Sequence, residues 1–283
     1  MIKKIIQDFY MENDDNRIKA DVALDSELVG MKIFDDPLIG VVKANDPIFE
    51  LYSDKYEIMY HKFIRPSDWL ESAKTVVSVF LPYSAEVKAG NGRDLRRPSL
   101  EWLHGRYEGQ LFINKLTSFV KSELEAQGIE CVAPSIDKRL AINIGTKKEG
   151  YKIRETKLSN DDFWSSWSER HVAFAAGLGT FSLSKNIITE KGSAGRLTSF
   201  ITNMQFDATE RHYKEVNEYC TFCGKCVQNC PVNAIDYEKG KMHTVCSNYL
   251  DWVYKKFEPR YACGKCQVVV PCQDKIPEKC IRL

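Results

Sequence analysis

The hydrophobic pattern predicts a few buried strands around one long helix. Residues 75–81 form an unbroken β-branched and apolar run, which is typical of a strand buried on both faces. Residues 129–133 and 197–201 predict two more short strands. Pro98 opens a long helical pattern that ends at Gly128. Its apolar residues recur at intervals of three and four and predict one buried face, formed by Phe112, Leu116, Phe119, Val120 and Leu124.

A second helix is predicted to begin at Asp161 and Asp162, because acidic side chains favour the positive end of a helix dipole. Gly177 or Gly179 would end it. Pro66 begins a short helix, for which Ser67 is the expected cap. Since strands and helices alternate, the first part of the chain is predicted to be a layered α/β or α+β domain.

Composition narrows the class of protein. Hydrophobic residues make up 43% of the chain, which is enough for a sizeable core and argues against a disordered protein. The 40 basic and 39 acidic residues leave a net charge of 40 − 39 = +1, without the basic excess typical of nucleic-acid binding. We find no apolar run near the ~18 residues of a membrane helix and no export signal, so we expect a cytoplasmic protein without a membrane partner.

The cysteines divide the chain. Cys131 stands alone before residue 220, in an apolar setting that suggests an inert buried thiol, whereas nine cysteines crowd residues 220–280. Disulfides fit a reducing compartment poorly. We therefore predict two domains, residues 1–210 and residues 211–283.

The tail begins with a run that points to iron–sulfur chemistry. Cys220-x2-Cys223-x2-Cys226-x3-Cys230-Pro231 is the bacterial ferredoxin spacing, in which the fourth cysteine ligates a second cluster. Structural zinc is the alternative, but it needs only two Cys-x2-Cys pairs and no Cys-Pro. The prediction is two [4Fe-4S] clusters. Cluster one would take Cys220, Cys223, Cys226 and Cys272, and cluster two would take Cys230, Cys246, Cys263 and Cys266.

The second set departs from the expected spacing. Val270 stands where the Cys-Pro cysteine should be, and Cys272 follows two residues later, after Pro271. Cys272 can still be a ligand if the loop bulges, and Cys280 is the reserve candidate.

A family resemblance rests on residues outside the ferredoxin run. Residues 168–179, Ser-Glu-Arg-His-Val-Ala-Phe-Ala-Ala-Gly-Leu-Gly, are followed by Ser184-Lys185-Asn186 and Gly192-Ser193. This block resembles epoxyqueuosine reductases and, more distantly, reductive dehalogenases. Cys246-x2-Tyr249-Leu250, Cys263-x2-Cys266-Gln267 and Gly105-Arg106-Tyr107 are also similar to segments of that family.

The resemblance implies an α+β protein whose nitroreductase-like layered domain binds base-off cobalamin ahead of the double-cluster domain. The seven cofactor-binding residues it implies are Gly177, Leu178, Gly179, Ser184, Asn186, Gly192 and Ser193. The alternative is that the glycines simply end a helix. Cobalt chemistry would also need a proton source, for which Asp162, Tyr107 and Tyr151 are the candidates. His171 is more simply a structural histidine.

The predicted function is therefore a cobalamin-dependent reductase fed by two [4Fe-4S] clusters. Its substrate would be a small molecule or a modified nucleoside, and an external ferredoxin or flavodoxin would supply low-potential electrons. The near-neutral charge, together with a sequence that reaches only Leu283, argues against a nucleic-acid partner. Three alternatives remain open: a corrinoid-free electron-transfer or maturation protein, a flavin-binding reductase, and a genuine tRNA epoxyqueuosine reductase.

Overall fold

A computed structural model describes residues 1–54, 63–144 and 163–278 of the chain. Its helices are α1 Ile2–Glu12, α2 Ile48–Ser53, α3 Pro66–Trp69, α4 Ala85–Gly92, α5 Leu100–Ala126, α6 Glu169–Ala175, α7 Lys225–Gln228 and α8 His243–Phe257. Its strands are β1 Leu38–Lys43, β2 Thr75–Pro82, β3 Cys131–Val132, β4 Ile142–Ile144, β5 Phe163–Ser165, β6 Gly179–Phe181, β7 Ile187–Thr189, β8 Gly195–Thr202, β9 Ile235–Asp236 and β10 Gly240–Lys241.

A four-stranded antiparallel sheet in the order β1-β2-β8-β3 forms the centre of the molecule. Strand β2 is buried along its whole length, as its unbroken apolar run predicts. Val77 lies opposite Val41 on one side and Phe200 on the other. The strands predicted at 75–81, 129–133 and 197–201 are therefore confirmed, and the mixed class is α+β with small sheets.

Helix α5 covers one face of this sheet. The Ser99 hydroxyl accepts the Trp102 N–H at 3.2 Å at its start, and Gly128 follows its end with φ +75°. The predicted apolar face is confirmed, since Phe112, Leu116, Val120 and Leu124 are buried and Phe119 packs against them. Terminal helix α1 joins this layer through rings of Phe9 and Phe112 that lie 5.5 Å apart.

Helix α6 covers the opposite face and starts later than predicted. Phe163–Ser165 is a strand paired with β4, and α6 begins only at Glu169. The prediction was wrong because the aromatic residues after the acidic pair form a strand; Asp161 and Asp162 themselves lie outside the described residues.

Gly177 ends α6 at φ +79°, with Gly177 N–H bonded to Phe174 O at 3.3 Å and Leu178 N–H to Ala173 O at 3.0 Å. Gly179 does not end the helix, because it begins strand β6. In α3, Pro66 occupies the first helical turn, and the N-cap is Arg65 rather than Ser67.

The cysteine-rich tail packs onto α4 and α5. Val253 of α8 joins the main core, and the Lys265 ammonium donates to the Asn91 carbonyl at 2.7 Å and to Asn91 Oδ1 at 2.6 Å. Asn91 in turn donates to the carbonyl of Cys263 at 2.9 Å. Buried polar contacts thus fix the tail against the front of the molecule. No helix within the described ranges combines the length and apolarity needed to cross a membrane.

Candidate functional site

Loops with left-handed residues present the first set of cysteines. Phe222 and Gly224 have φ +50° and +74°, which curls the chain between Cys220 and the short helix α7 that carries Cys226. Val269 has φ +54°, and the Gln273 N–H bonds back to Val270 O at 3.0 Å. A bulge directly before Cys272 is what its ligand role would need, and this turn lies there.

Electrostatic coupling shows which thiols of the first set are neighbours. Burial raises the pKa of Cys272 to about 11, the Ser193 hydroxyl opposes the shift, and the charges of Cys220 and Cys223 add to it. Burial is the largest cause that raises the pKa of Cys226 to about 12. The charges of Cys266, Cys272, Cys220 and Cys223 contribute in the same direction. The four predicted ligands of cluster one therefore lie together, with Cys266 of the other set close by.

The second set shows the same coupling. Burial raises the pKa of Cys263 to about 12, with further contributions from the charges of Cys266 and Cys246. Burial is the largest cause that raises the pKa of Cys246, and the charges of Cys266 and Cys230 also raise it. The Ala234 N–H donates to Cys230 Sγ at 3.1 Å. Half-buried thiols that resist ionisation, because their thiolates would repel one another, fit a positively charged iron–sulfur core that would stabilise the thiolate form.

Across the described residues, no three His, Cys, Asp or Glu side chains are arranged to hold a single metal ion. The fit to clusters therefore rests on cysteine spacing and thiol coupling. Cys131 is buried apart from both sets, and burial raises its pKa to about 12, in agreement with an inert thiol.

A cavity of about 440 Å³ lies between the front of the molecule and the tail. All four cysteines of the second set line it, so cluster two would take up part of its volume. The front of the molecule contributes aromatic side chains, arginines and the predicted cofactor-binding residue Asn186. The aromatic and basic residues are Tyr83, Trp102, Phe163, Arg106, Arg170 and Arg196.

The cavity is strongly basic. Arg106, Arg170 and Arg196 line it together with Lys241 and Lys265, whereas Asp251 is the one carboxylate among its described lining residues. Arg170 donates to the Lys185 carbonyl at 2.7 Å; burial lowers its pKa, and the charges of Cys266 and Cys246 oppose that shift. Arg170 is therefore the arginine on which the thiol charges of the second set act.

Asn186 is the predicted cofactor residue that lines the cavity. Its amide nitrogen lies 3.5 Å from Cys266 Sγ and donates to the Ser184 hydroxyl at 2.9 Å. Ser184 also shares a 2.9 Å hydrogen bond with Ser182. The Ser193 hydroxyl lies 3.8 Å from Cys272 Sγ, and the Ser193 N–H donates to the Cys272 carbonyl at 2.8 Å. Both serines thus have partners within the chain.

The predicted glycine block is filled by protein. A Cβ on Gly177 would meet Thr209, one on Gly179 would overlap the Ile188 carbonyl, and one on Gly192 would overlap Gln273. Leu178 packs where the missing side chain of Gly40 leaves room. In this structure these glycines permit the close approach of other parts of the chain. This is the structural alternative to binding a cofactor tail.

Of the three proton-donor candidates, Tyr107 alone falls in the described residues. Tyr107 lies on α5, with its ring centre 5.6 Å from the Arg260 guanidinium, and it does not line the cavity. Asp162 and Tyr151, like the reserve ligand Cys280, lie outside the described residues. His171 shares a 2.7 Å hydrogen bond with Ser168, and burial lowers its pKa to about 3, which fits a structural histidine.

Sequence reasoning missed the basic residues of the front wall. Arg196 follows Gly195 at the start of a strand whose later residues are buried, and a charged residue beside that strand was the available signal. Arg106 stood out only as part of a family similarity, and Tyr83 and Trp102 carried no local signal at all.

A comparison with protein families matches residues 213–236 to the 4Fe-4S binding domain. The chain contains a 4Fe-4S binding domain. The match spans all four cysteines of the ferredoxin run, from Cys220 to Cys230. No curated protein matches the sequence.

Solved structures similar to this chain are reductive dehalogenases and epoxyqueuosine reductases, as the resemblance predicted. The catabolic reductive dehalogenase NpRdhA, in complex with 3-bromo-4-hydroxybenzoic acid, is 14% identical, with 98% of this chain and 37% of that chain covered and a TM-score of 0.52. This likeness shows a shared fold.

Two epoxyqueuosine reductases give lower TM-scores. The enzyme from Streptococcus thermophilus is 18% identical, with coverage of 98% and 68% and a TM-score of 0.47. Another, solved with an epoxyqueuosine-modified tRNA-Tyr stem loop, is 20% identical, with coverage of 85% and 62% and a TM-score of 0.47. The chain thus spans about two thirds of these reductases and about a third of the dehalogenase.

Proposed function

We propose that the protein is an iron–sulfur oxidoreductase that passes electrons through two [4Fe-4S] clusters to a reaction at the basic cavity. Cluster one takes Cys220, Cys223, Cys226 and Cys272, and cluster two takes Cys230, Cys246, Cys263 and Cys266. The observation that carries the proposal is that every cysteine of the second set lines the cavity.

The direction of electron flow follows from exposure. Cys223 is exposed, whereas the second set faces the interior cavity. Electrons from an external low-potential ferredoxin or flavodoxin enter at cluster one and leave from cluster two. The proximity of Cys226 to Cys266 supports a short path between the clusters.

The arrangement of the two proposed domains supports a separation of substrate binding from electron transfer. In the proposal, residues 1–210 form the substrate domain and residues 211–283 form the double-cluster domain. Helices on both faces of the antiparallel sheet support a nitroreductase-like layering of the first domain.

Base-off cobalamin is the proposed acceptor, and it fits this structure only in part. Bound cobalamin would supply a strongly reducing centre for two-electron chemistry. The Asn186 amide and the aromatic walls of Tyr83 and Trp102 fit such a ligand. A cavity of about 440 Å³ that also takes in a cluster does not enclose a whole corrinoid, and the glycine block is already filled by protein.

The filled glycine block favours a second candidate, a corrinoid-free electron-transfer protein. In that case the cavity would serve a smaller ligand or none, and the clusters would deliver electrons to another protein. Both candidate functions use the same two iron–sulfur clusters. They differ in whether a corrinoid is extracted from the protein together with iron and sulfide.

Anaerobic purification with quantitation of iron, sulfide, corrinoid and flavin tests the proposal. We expect about eight irons per chain, falling to about four in Cys246→Ser. Cys131→Ser, which changes a buried thiol of neither set, is the matched control and should keep all of them. A stoichiometric corrinoid supports the cobalamin-dependent form, and iron and sulfide alone support the second candidate. Flavin with little iron would overturn both.

The substrate is proposed to be a small molecule or a modified nucleoside. Since one structural neighbour was solved with a tRNA stem loop, tRNA belongs in the assay despite the near-neutral charge. Epoxyqueuosine-containing tRNA, incubated with reductant and with or without the protein, decides this. Conversion to queuosine would establish a tRNA reductase.

A further inference from the structure

Two arginines line the part of the cavity formed by the front of the molecule. Arg106 on α5 donates to the Tyr261 hydroxyl at 2.7 Å and stacks over the Tyr261 ring, 4.7 Å from its centre. Arg196 on β8 donates to Gln110 Oε1. Neither guanidinium forms a salt bridge with a carboxylate in the parts of the chain that the structure describes.

Arg196 has spare hydrogen-bonding capacity. Its Nε is buried and has no hydrogen-bond partner among the residues that the structure describes. Burial lowers the pKa of Arg196 to about 10, and the charge of Arg106 lowers it further. A buried cation beside a second cation is unfavourable unless an opposite charge completes the arrangement.

Arg170 and Arg196 have different electrostatic neighbours. The charges of Cys266 and Cys246 act on Arg170. The groups that act on Arg196 are instead Arg106, Tyr83 and Tyr261. The two arginines thus share phenol and aromatic neighbours on the wall of the cavity.

We propose that Arg106 and Arg196 bind an oxyanion, a carboxylate or a phosphate, carried by a small ligand that enters the cavity. A guanidinium presents a planar fork of donors that matches such anions, and Arg196 Nε supplies the free donor. Tyr83 and Trp102, whose ring centres lie 4.6 Å apart, provide an apolar surface for the rest of the ligand. The inference needs neither a corrinoid nor turnover and so stands apart from the proposed function.

Binding is measured anaerobically on the cluster-loaded protein by isothermal titration calorimetry with three probes. Benzoate and inorganic phosphate are the two anion types, and benzamide is the uncharged match for benzoate. We expect at least one anion to bind with a dissociation constant below about 10 mM, and benzamide to bind at least about tenfold more weakly than benzoate.

Arg196→Gln and Arg106→Gln should each weaken anion binding by about tenfold or more, because each removes one guanidinium. Arg139→Gln is the matched control, since Arg139 is bound to Asp137 and stacks on Trp69 outside the cavity. Iron content and circular dichroism confirm that each variant folds. If Arg196→Gln does not fold, Arg106→Gln decides.

The inference is overturned if the wild-type protein binds neither anion up to about 10 mM, or if it binds benzamide as well as benzoate. Equal losses in Arg139→Gln and Arg106→Gln would also overturn it. Competition between benzoate and phosphate would show that one subsite serves both anions. Binding of only one would assign the subsite to a carboxylate or to a phosphate.

Discussion

At the scale of single residues, Glu169 is an unusual choice for the first turn of α6. Both carboxylate oxygens are buried, and no hydrogen bond of ordinary geometry reaches them from the described part of the chain. Burial raises the pKa of Glu169 to about 7, which the nearby Ser199 hydroxyl only partly offsets. The folded protein therefore favours the protonated form of this side chain near neutral pH.

This makes stability fall as pH rises. Because the folded-state pKa lies above the unfolded value, the folded protein binds the extra proton between about pH 4.5 and pH 7, and the ionised form destabilises it above that window. Glu169→Gln should therefore raise the melting temperature at pH 8, by an amount equivalent to about 2–3 kcal/mol, and less at pH 5.

Scanning calorimetry at the two pH values checks this, with exposed Glu123→Gln as the control. A stabilisation by Glu169→Gln that is the same at pH 5 and pH 8 would contradict the interpretation.

The ligand role of Cys272 is also a single-residue question. Its coupling to Cys220 and Cys223 and the turn at Val269 favour it over Cys280. Cys272→Ser should lower the iron content from about eight to about four per chain, and Cys280→Ser should leave it unchanged. Iron analysis and low-temperature electron paramagnetic resonance check both. Full iron in Cys272→Ser would return the role to Cys280.

At the scale of elements, the glycine after β7 controls how the tail docks. Gly192 has φ +77°, its backbone turns back onto Thr189, and the next residue bonds to the Cys272 carbonyl. A Cβ here would overlap the backbone of Gln273, one residue beyond that ligand. Gly192 therefore sets the distance between the front of the molecule and the loop that carries Cys272, the proposed ligand of cluster one.

Gly192→Ala should lower the free energy of unfolding by more than the strain of a left-handed backbone conformation alone would. Gly128→Ala is the matched control, because Gly128 has φ +75° and nothing within 4 Å of the added Cβ. We expect Gly128→Ala to lower the free energy of unfolding by about 1 kcal/mol. Gly192→Ala should lower it by more and should also weaken the binding of cluster one. Melting temperature and iron content are measured together. Equal effects of the two substitutions would remove the proposed docking role.

At the scale of the whole molecule, a buried charged network connects three distant segments. The His104 ring is fully buried; the Leu24 N–H donates to its Nε2 at 3.0 Å, so its Nδ1 carries the proton that is donated to Glu108 at 2.9 Å. Glu108 also pairs with Arg260, which donates to the Val22 carbonyl at 2.8 Å. Arg260 precedes Cys263, so the network anchors the loop that carries this proposed ligand of cluster two.

Glu108→Gln should destabilise the whole molecule. Burial opposes ionisation of Glu108, but hydrogen bonds from His104 and Arg260 outweigh it and lower its pKa. Its stabilisation is thus present above about pH 4.5 and lost as pH falls through the lower folded value. Removing one partner of such a buried pair costs about 3 kcal/mol.

Thermal unfolding at pH 7 and limited proteolysis of the tail measure this effect, again against Glu123→Gln. An unchanged melting temperature would show that the network does not hold the tail.

Local signals in the sequence determined much of this protein. The apolar run of β2, the periodic face of α5 and the spacing of Cys220 to Cys230 each depend on residues close together in the chain, so the sequence alone identifies them. The start of α6 was misjudged because an acidic pair followed by aromatics is compatible with a strand as well. The cytoplasmic location, the domain boundary and the catalytic residues stay predictions.

Only the tertiary structure decided the cavity and the meaning of the glycines. Arg106 and Arg196 are separated by 90 positions in the sequence, and packing of α5 against β8 brings both to one wall. Gly177, Gly179 and Gly192 look alike in sequence, yet whether a ligand or protein fills the space beside each depends on what the rest of the chain places there. Steric complementarity between distant segments leaves no local pattern, and it is settled only when the chain folds.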